Sequence, residues 1–380
     1  MSGLFDIDSK EKKVEYIELI YDLIFVYIIG RNNSLLHHVH DGFVEPGLFA
    51  AYVLCTLAVI QIWNFTTYYI NLYGRSSLRD HVFLFANMFL MYFIGEGTRE
   101  NWQEYHTQYH AAWALILANI GVQYLIEYRR HAGQPEHIRR IRRMAAIVMT
   151  EAAIVALSIP FYNATGSTLL TPAAILFGIC VTVISGRRSC SGLVDFPHLS
   201  ERAMLYVVFT FGEMIIAIAS YFEGRLDFSS LYFSLMAFMI VAGLFLSYGY
   251  FYDRMIDREM KTNGIGYMLM HIFIIFALNN ITTALEFMRN EEVALLPKML
   301  MLTLSFVTYY VFLFSLGAYA KRRCGITLGF YLIMAAVGAC FVALMLAFRN
   351  MMYVNIAITV ILVFGVFAAL RIMEKNSESQ

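Results

Sequence analysis

Eight ionisable side chains lie inside long apolar segments of the sequence, where such groups are rare. They are Glu18, Asp22, His81, Glu96, Glu151, Glu213, His271 and Glu286. A charged side chain at the centre of a bilayer costs about 2.5–3.5 kcal/mol on insertion scales, so each of these groups needs a compensating role. Acids and imidazoles without Lys or Arg among them suit protons or cations rather than anions.

Glu213 is the first candidate for a protonatable site in such a pathway. It lies twelve residues, or about 18 Å along a helix, beyond Glu201, which predicts a position near the middle of the bilayer. Gly212 directly before it allows another helix to approach closely. The alternative is a protonated Glu213 that donates a single interhelical hydrogen bond.

A second set of candidates repeats at the same spacing in two segments. His271 and Glu286 are fifteen positions apart and enclose a polar stretch that contains Asn280, and His81 and Glu96 have the same separation. Histidine takes up and releases protons near neutral pH, so both pairs are predicted to form relays. The alternative is that the Asn and Thr side chains of this stretch only hydrogen-bond between helices.

The first apolar segment begins with two acids, and a later one begins with a His, a Glu and an Arg. Glu18 and Asp22 are one helical turn apart, close enough that one carboxyl group is expected to hold a proton. We predict a cytoplasmic mouth that comprises Glu18, Tyr21, Asp22, His198, Glu201 and Arg202. The alternative is that the two acids pair with arginines of the loops and only fix the first helix in place.

The loop HHVHDGFVE contains the only clustered histidines of the chain. His37, His38 and His40 are ligand types that suit zinc or copper, but their spacing is not that of the HExxH motif. We expect a solvated loop here and treat the three histidines as weak metal candidates.

Twelve segments are long and apolar enough to cross about 30 Å of hydrocarbon as helices. They cover residues 15–30, 46–70, 79–97, 108–128, 143–162, 168–186, 200–222, 228–252, 264–288, 294–320, 326–348 and 351–371. With both termini cytoplasmic, 22 of the 28 Lys and Arg residues fall on the cytoplasmic side and 6 on the other. The sequence therefore predicts an all-α polytopic protein of the inner membrane with both termini in the cytoplasm.

A division near residue 190 leaves six segments on each side. The matching stretches from His81 to Glu96 and from His271 to Glu286 lie in the third and ninth segments, which are equivalent under this division. We therefore predict two parallel six-helix halves, residues 1–190 and 191–380.

Composition and the missing motifs exclude several classes of protein. Apolar residues make up 59% of the chain and charged residues 15%, so a soluble enzyme or a disordered chain is excluded. Lys and Arg together equal Asp and Glu at 28 each, which leaves no net charge to attract nucleic acid. The sequence lacks GxSxG, GxxxxGK, GxGxxG and CxxC, so no cofactor is expected and an enzyme is disfavoured.

Two motifs give the chain a resemblance to a known family. The stretch EYIELIYDLIFVYII resembles the ELFYDLVFVFAI signature of the bacterial low temperature requirement A (LtrA) family, and HLSERAMLYVVFTFGEMII resembles its HFxERxGLxxIIxLGExIL signature. WNFTTYYINLYGR and the run from His271 to Glu286 also resemble family segments. The matching residues are Glu18, Tyr21, Asp22, Phe25, His198, Glu201, Arg202, Gly212 and Glu213.

The chain also departs from the family pattern at two places. Ala203 and Met204 replace a small residue and a Gly, and SYGYFYD, residues 247–253, replaces tryptophans at the end of the eighth segment. The resemblance implies a bacterial membrane protein connected with growth in the cold, and it implies no reaction or substrate.

The leading hypothesis from these patterns is a channel or transporter that moves protons or small cations or is coupled to them. One alternative is an intramembrane enzyme that acts on a lipid or isoprenoid at the cytoplasmic boundary, and another is a structural membrane protein. The expected partners are membrane lipid and a proton or small cation. Ala335 and Ala339, one turn apart, would permit close helix packing in a homodimer.

Overall fold

The computed structural model describes residues 12–98, 102–186, 194–222, 227–288, 290–324 and 326–378. Twelve α-helices occupy most of these residues, and each overlaps one of the predicted segments. They are α1 (Tyr16–Asn33), α2 (Pro46–Tyr73), α3 (Leu78–Gly97), α4 (Trp102–Arg130), α5 (Pro135–Thr165), α6 (Leu170–Gly186), α7 (Phe196–Ile218), α8 (Phe228–Tyr250), α9 (Ile265–Phe287), α10 (Leu295–Ser315), α11 (Leu328–Ala347) and α12 (Met352–Glu378).

Within these ranges, nine helices are long and apolar enough to cross a membrane. Of the other three, α6 has 17 residues, and α1 and α3 carry charged side chains near their ends. The predicted helical architecture is confirmed, and the nine apolar helices support a multi-pass membrane protein. Twelve crossings and two cytoplasmic termini stay predictions.

α5 begins earlier than the predicted span 143–162. Its first residue is Pro135, whose fixed φ suits the first position of a helix, and Glu136 follows in the first turn, where the helix dipole favours an acid. α4 ends at Arg130, so only residues 131–134 connect the two helices. The arginines that lie at or between the predicted spans 108–128 and 143–162 are therefore helical. They are Arg129, Arg130, Arg139, Arg140, Arg142 and Arg143.

A short hairpin interrupts the helical pattern between α1 and α2. Strands β1 (Val39–His40) and β2 (Phe43–Val44) pair antiparallel through Asp41 and Gly42. Both turn residues have positive φ, 50° and 83°, as a two-residue type I′ turn requires. The Gly42 carbonyl accepts a hydrogen bond from the Ala294 amide at 2.6 Å, which ties the hairpin to the start of α10.

The first and seventh helices lie at the centre of the packing. α1 contacts α2, α3, α7 and α9, and α7 also contacts α2, α8 and α9. Four helix contacts in the first predicted half have a counterpart in the second. The contacts of α1 with α2 and α3 correspond to those of α7 with α8 and α9. The contact of α3 with α4 corresponds to that of α9 with α10, and the contact of α2 with α6 to that of α8 with α12. The division into two halves, 1–190 and 191–380, stays a prediction.

Candidate functional site

Four ionisable side chains meet between α1 and α7 and form what we call the α1–α7 cluster. Glu18 and Asp22 come from successive turns of α1, and His198 and Arg202 come from successive turns of α7. The exposed fraction is 3% for Glu18 and 0% for the other three. The i, i+4 spacing in both helices therefore places two acids directly opposite two basic groups.

The guanidinium group of Arg202 joins the two acids. Its Nη1 lies 3.3 Å from Oε2 of Glu18, and its Nη2 donates to Oδ1 of Asp22. The indole Nε1 of Trp63, on α2, donates to the same Asp22 oxygen at 2.8 Å. Burial of ions is tolerated best when they are paired and hydrogen-bonded. Asp22 meets both conditions, and Glu18 is within ion-pair distance of Arg202.

Hydrogen bonds from α2 determine the proton position on His198. The side-chain Oδ1 of Asn71 accepts from the amide of Asp195 at 3.2 Å, so its Nδ2 is the donor to Nδ1 of His198 at 3.1 Å. Nδ1 is therefore an acceptor, and the ring proton of a neutral imidazole lies on Nε2. Nε2 is 3.3 Å from Oε2 of Glu18, which is within ion-pair distance.

Lys12 supplies a further positive charge beside the cluster. Its amine donates to the carbonyl oxygens of Ile70 and Gly74, at the C-terminal end of α2, the second at 2.9 Å. Its backbone amide donates to Asp195, which also caps the N-terminus of α7 through the amide of His198 at 3.1 Å. The amine interacts electrostatically with Glu18, so two cations balance the two carboxylates of the cluster.

Aromatic side chains cover the cluster on the side toward the C-terminal ends of α1 and α7. The rings of Tyr21 and Phe25 are 5.0 Å apart, those of Phe25 and Tyr206 are 6.4 Å apart, and those of Trp63 and Tyr206 are 4.5 Å apart. All four residues are fully buried. Tyr21 belongs to this aromatic layer, where its hydroxyl pairs with Thr66 at 3.0 Å.

Three further acids, which we call the C-terminal acids, lie near the C-terminal ends of α3, α7 and α9. Glu96 is 3.6 Å from Arg31, and Glu286 is 3.2 Å from His37. The side chains of Glu96 and Glu286 are 42% and 23% exposed, and Glu213 is also partly exposed. These acids are therefore more accessible than the α1–α7 cluster.

Glu213 lies beside the last turn of α1. A side chain added at Gly30 would place its Cβ 2.6 Å from Oε1 of Glu213, so the glycine leaves the space that the carboxyl group occupies. Glu213 also interacts electrostatically with Glu286. Within α7, Glu213 is nearer to the C-terminal end than to the middle.

The two predicted relay histidines, His271 and His81, are not in contact with the C-terminal acids. His271 is fully buried, its Nδ1 donates to the Tyr267 carbonyl at 2.8 Å, and its Nε2 accepts from the Tyr248 hydroxyl at 2.9 Å. His81 bonds the Ser77 carbonyl at 2.7 Å at the start of α3. Each histidine lies about 22 Å of helix rise from the Glu fifteen positions later, so these pairs do not form direct relays.

Two other predicted residues also lie outside the clusters. Asn280 donates to the carbonyl of Phe276 at 2.7 Å and lines a cavity of about 530 Å³ between α2, α9 and α10. Glu201 is partly exposed, interacts electrostatically with Tyr252, and forms no ion pair with the described residues of α1. The face shared by His198 and Arg202 therefore excludes Glu201.

The histidines of the loop after α1 point in different directions. His37 pairs with Glu286, whereas His40 lies 3.5 Å from Asp41, with both side chains exposed. His38 is exposed. In the part of the chain that the structure describes, no group of three or more His, Cys, Asp or Glu side chains could hold a metal ion.

A second buried ionic cluster joins α3 to α4 and was not predicted. Glu127 is fully buried, and its Oε1 accepts from Arg79 at 2.7 Å and from Arg130 at 3.1 Å. Arg79 also donates to Asp80 at 2.6 Å, and His131 lies 3.6 Å from Glu127. The sequence placed these groups at segment ends, and nothing in their spacing indicates that they meet.

His37, which lies in the loop after α1, pairs with Glu286 of α9 and gives a testable pH dependence. The hydrogen bond to Glu286 raises the pKa of His37, against an opposing effect of burial. The stability that the His37–Glu286 pair contributes is therefore fully present below a pH of about 6.5, and it is lost as the pH rises through the raised pKa of His37. For this partly exposed pair we expect at most about 1 kcal/mol.

The measurement compares thermal unfolding of the native protein and a His37→Gln variant at several pH values. The difference between the two is expected to shrink as the medium becomes alkaline. His40→Gln, which changes an exposed imidazole of the same loop, is the matched control. A constant difference for His37→Gln across this range would contradict the assignment.

The chain was also compared with known proteins. The family model described as "Bacterial low temperature requirement A protein (LtrA)" matches residues 13–367, nearly the whole chain. No curated protein matches the chain. The matched range includes the α1–α7 cluster and the C-terminal acids. The resemblance that the two motifs gave is thereby confirmed, and the chain belongs to the bacterial low temperature requirement A (LtrA) family.

Proposed function

We propose that this protein is a membrane transporter that moves protons or small cations, or couples transport to them. The observation that carries the proposal is the contrast between two groups of acids at opposite ends of the bundle. The acids at the beginning of α1 are buried and paired with α7. The acids at the ends of α3, α7 and α9 are partly exposed. Such a contrast is expected of a transporter closed on one side and open on the other.

The α1–α7 cluster has the properties of a closed gate. It joins the first helix of one predicted half to the first helix of the other, and its ionic contacts span 180 positions of sequence. Breaking these contacts with water present costs less than breaking them in a dry interior, because water solvates the separated charges. Separation of α1 from α7 would therefore accompany entry of water from the predicted cytoplasmic side.

The aromatic layer favours a transporter over an open channel. Phe25 and Tyr206 lie between the cluster and the position of Glu213, and both are fully buried. Arg202 and Glu213 are eleven residues apart on α7, or about 16 Å. An ion bound near Glu213 would thus require a rearrangement of these rings before it reaches the other side.

The observations support the alternative functions less well. An enzyme acting at the predicted cytoplasmic boundary would need Asp22 and Glu201 in one cavity, but Asp22 is enclosed by protein and Glu201 faces elsewhere. The complete pairing of the α1–α7 cluster does favour a structural role as the second candidate. A purely structural protein would have no need for the partly exposed Glu213, which has no ion-pair partner among the described residues.

The proposal is tested by proton flux into liposomes. Purified protein is incorporated into vesicles that contain a pH-sensitive dye, and an inward proton gradient is imposed with a potassium ionophore present to dissipate the membrane potential. We expect the internal pH to fall faster than in protein-free vesicles. With K⁺ kept equal on both sides, addition of external Na⁺ tests whether a second cation contributes. Identical rates in vesicles with and without protein, under all these ion conditions, would contradict the proposed function.

A further inference from the structure

A carboxyl group in the middle of α5 has no role in the clusters described above. Glu151 is fully buried between α2, α5 and α6. Its Oε2 accepts a hydrogen bond from Nε2 of Gln61 at 3.3 Å, and none of the described basic side chains pairs with it. This environment differs from that of Glu18, which has Arg202 and His198 beside it.

Two oxygen atoms of this pair lack partners among the described residues. Oε1 of Glu151 and Oε1 of Gln61 are both buried and accept no hydrogen bond. A proton on Oε1 of Glu151 would supply the missing donor, so that the acid and the amide could each donate one hydrogen bond to the other. A buried carboxylate without a cation is costly, whereas a protonated acid paired with an amide satisfies its polar atoms.

A glycine on α6 creates the space for this pair. A Cβ at Gly178 would collide with both Nε2 of Gln61 and Oε2 of Glu151, so a larger residue could not occupy this position without displacing them. Gln61 also donates to the carbonyl of Ile175 at 3.4 Å, which holds the amide against α6. The three helices therefore fix the orientation of the acid and the amide.

Two neighbouring small cavities, which we together call the crevice, lie between this pair and the predicted cytoplasmic end of the helices. One cavity of about 30 Å³ is lined by Gln61 and Gly178, and a neighbouring one of about 40 Å³ extends to Arg143. Tyr68 and Thr182 line both cavities. Each volume exceeds the approximately 10–15 Å³ that one water molecule requires, and the buried Thr182 hydroxyl has no partner among the described residues.

We propose that Glu151 and Gln61 form a proton-binding site that is loaded from the predicted cytoplasmic side through this crevice. The charged and titratable groups along the crevice are Tyr68, Arg140 and Arg143, and the two arginines lie at its cytoplasmic end. A proton would pass cavities of this size along hydrogen-bonded water, whereas a hydrated cation is too large for them. The use of this site in transport rests on the proposed function, but its occupancy by a proton does not.

Infrared spectroscopy of the whole protein in lipid nanodiscs tests the site without any transport measurement. The native spectrum minus that of Glu151→Gln should contain the carbonyl band of a protonated carboxyl group, and this band should shift in heavy water. Glu18→Gln is the matched control, because Glu18 is paired with Arg202 and should contribute no such band. Absence of the band in the Glu151 difference would overturn the proposal, and a band that does not shift in heavy water would overturn the water-filled route.

A second variant keeps the test decisive if Glu151→Gln folds poorly. Gln61→Leu removes the hydrogen-bond partner and leaves the acid in place, so the band should move to the position of a carboxyl group without that hydrogen bond. Loss of the band in Gln61→Leu would contradict the proposed pairing. Loss of the band in the native protein on replacing K⁺ by Na⁺ would show that the site binds sodium rather than a proton, and would also overturn the proposal.

Flux measurements then separate this inference from the proposed function. If the infrared band is present but the native protein moves no protons in liposomes, the site stands and the transport function fails. If the native protein conducts and Glu151→Gln reduces its proton flux at least tenfold, the site is also part of the transport mechanism. A variant that conducts as the native protein does would contradict that mechanistic role.

Discussion

Replacement of Arg202 by Met is expected to lower the free energy of unfolding by about 3–5 kcal/mol. The substitution removes the only guanidinium group that contacts both Glu18 and Asp22 among the described residues, and both acids are almost completely buried. The cost arises mainly from the charges left behind, because water cannot solvate them at this depth. The measurement is the unfolding transition in detergent, in comparison with the native protein.

Two further variants show whether a loss of stability in Arg202→Met comes from the unpaired acids. Arg129→Met alters an exposed arginine at the end of α4, and we expect an effect within about 0.5 kcal/mol. Asp22→Asn combined with Arg202→Met removes one of the charges left unpaired, so its cost should be clearly smaller than the sum of the two single effects. Additive effects, or an Arg202→Met variant as stable as Arg129→Met, would contradict the paired geometry.

The sequence predicts the helices well because a membrane span imposes a strong local signal. Apolar runs of about twenty residues leave few alternatives to a helix, and each of the twelve predicted segments overlaps an observed one. The signal weakens where a helix leaves the bilayer. α5 therefore begins at Pro135 and contains basic residues that hydropathy assigns to a loop.

The α1–α7 cluster shows how far local spacing can lead. The i, i+4 intervals place Glu18 with Asp22 and His198 with Arg202, but they do not indicate that α1 and α7 are neighbours. That contact depends on the packing of the whole bundle, as does the contribution of Trp63 from α2. The segment WNFTTYYINLYGR, which resembles the family, begins within α2 at Trp63, and this is the only sequence signal for the involvement of that residue.

Helix periodicity also fails to resolve which face of α7 is buried. His198, Glu201 and Arg202 can share a broad face by spacing, yet only His198 and Arg202 face α1. The fifteen-residue spacing of His271 and Glu286 similarly identifies two ends of one helix rather than a connected pathway. His271 is instead held by Tyr248 and the backbone of Tyr267.

The two ends of α7 differ in what a buried or partly buried charge can do there. Two acids pair with Arg202, and its removal would leave their charges uncompensated. The main role of Arg202 is therefore to stabilise the folded protein. Glu213 lies near a second acid and beside Gly30, without a cation within ion-pair distance in the described part of the chain. A group of that kind can change protonation without dismantling the bundle.

Glu213→Gln is therefore expected to reduce proton flux in liposomes to the level of protein-free vesicles. The amide has nearly the same size and fits the space beside Gly30, but it cannot release and take up a proton. Because Glu213 is partly exposed and unpaired with a cation, its unfolding transition should change little. The measurement is the rate of acidification reported by the internal dye, at equal amounts of incorporated protein.

Glu292→Gln is the matched control, since it changes an exposed acid in the turn before α10 by the same atoms. This variant should conduct as the native protein does, which would show that loss of one negative charge near this end of the bundle is insufficient to stop flux. Full flux in Glu213→Gln, from a native protein that conducts, would remove Glu213 from the pathway. The remaining C-terminal acids, Glu96 and Glu286, would then have to carry the proton past Gly30, and Glu286→Gln would become the deciding variant because Glu286 interacts with both Glu213 and His37.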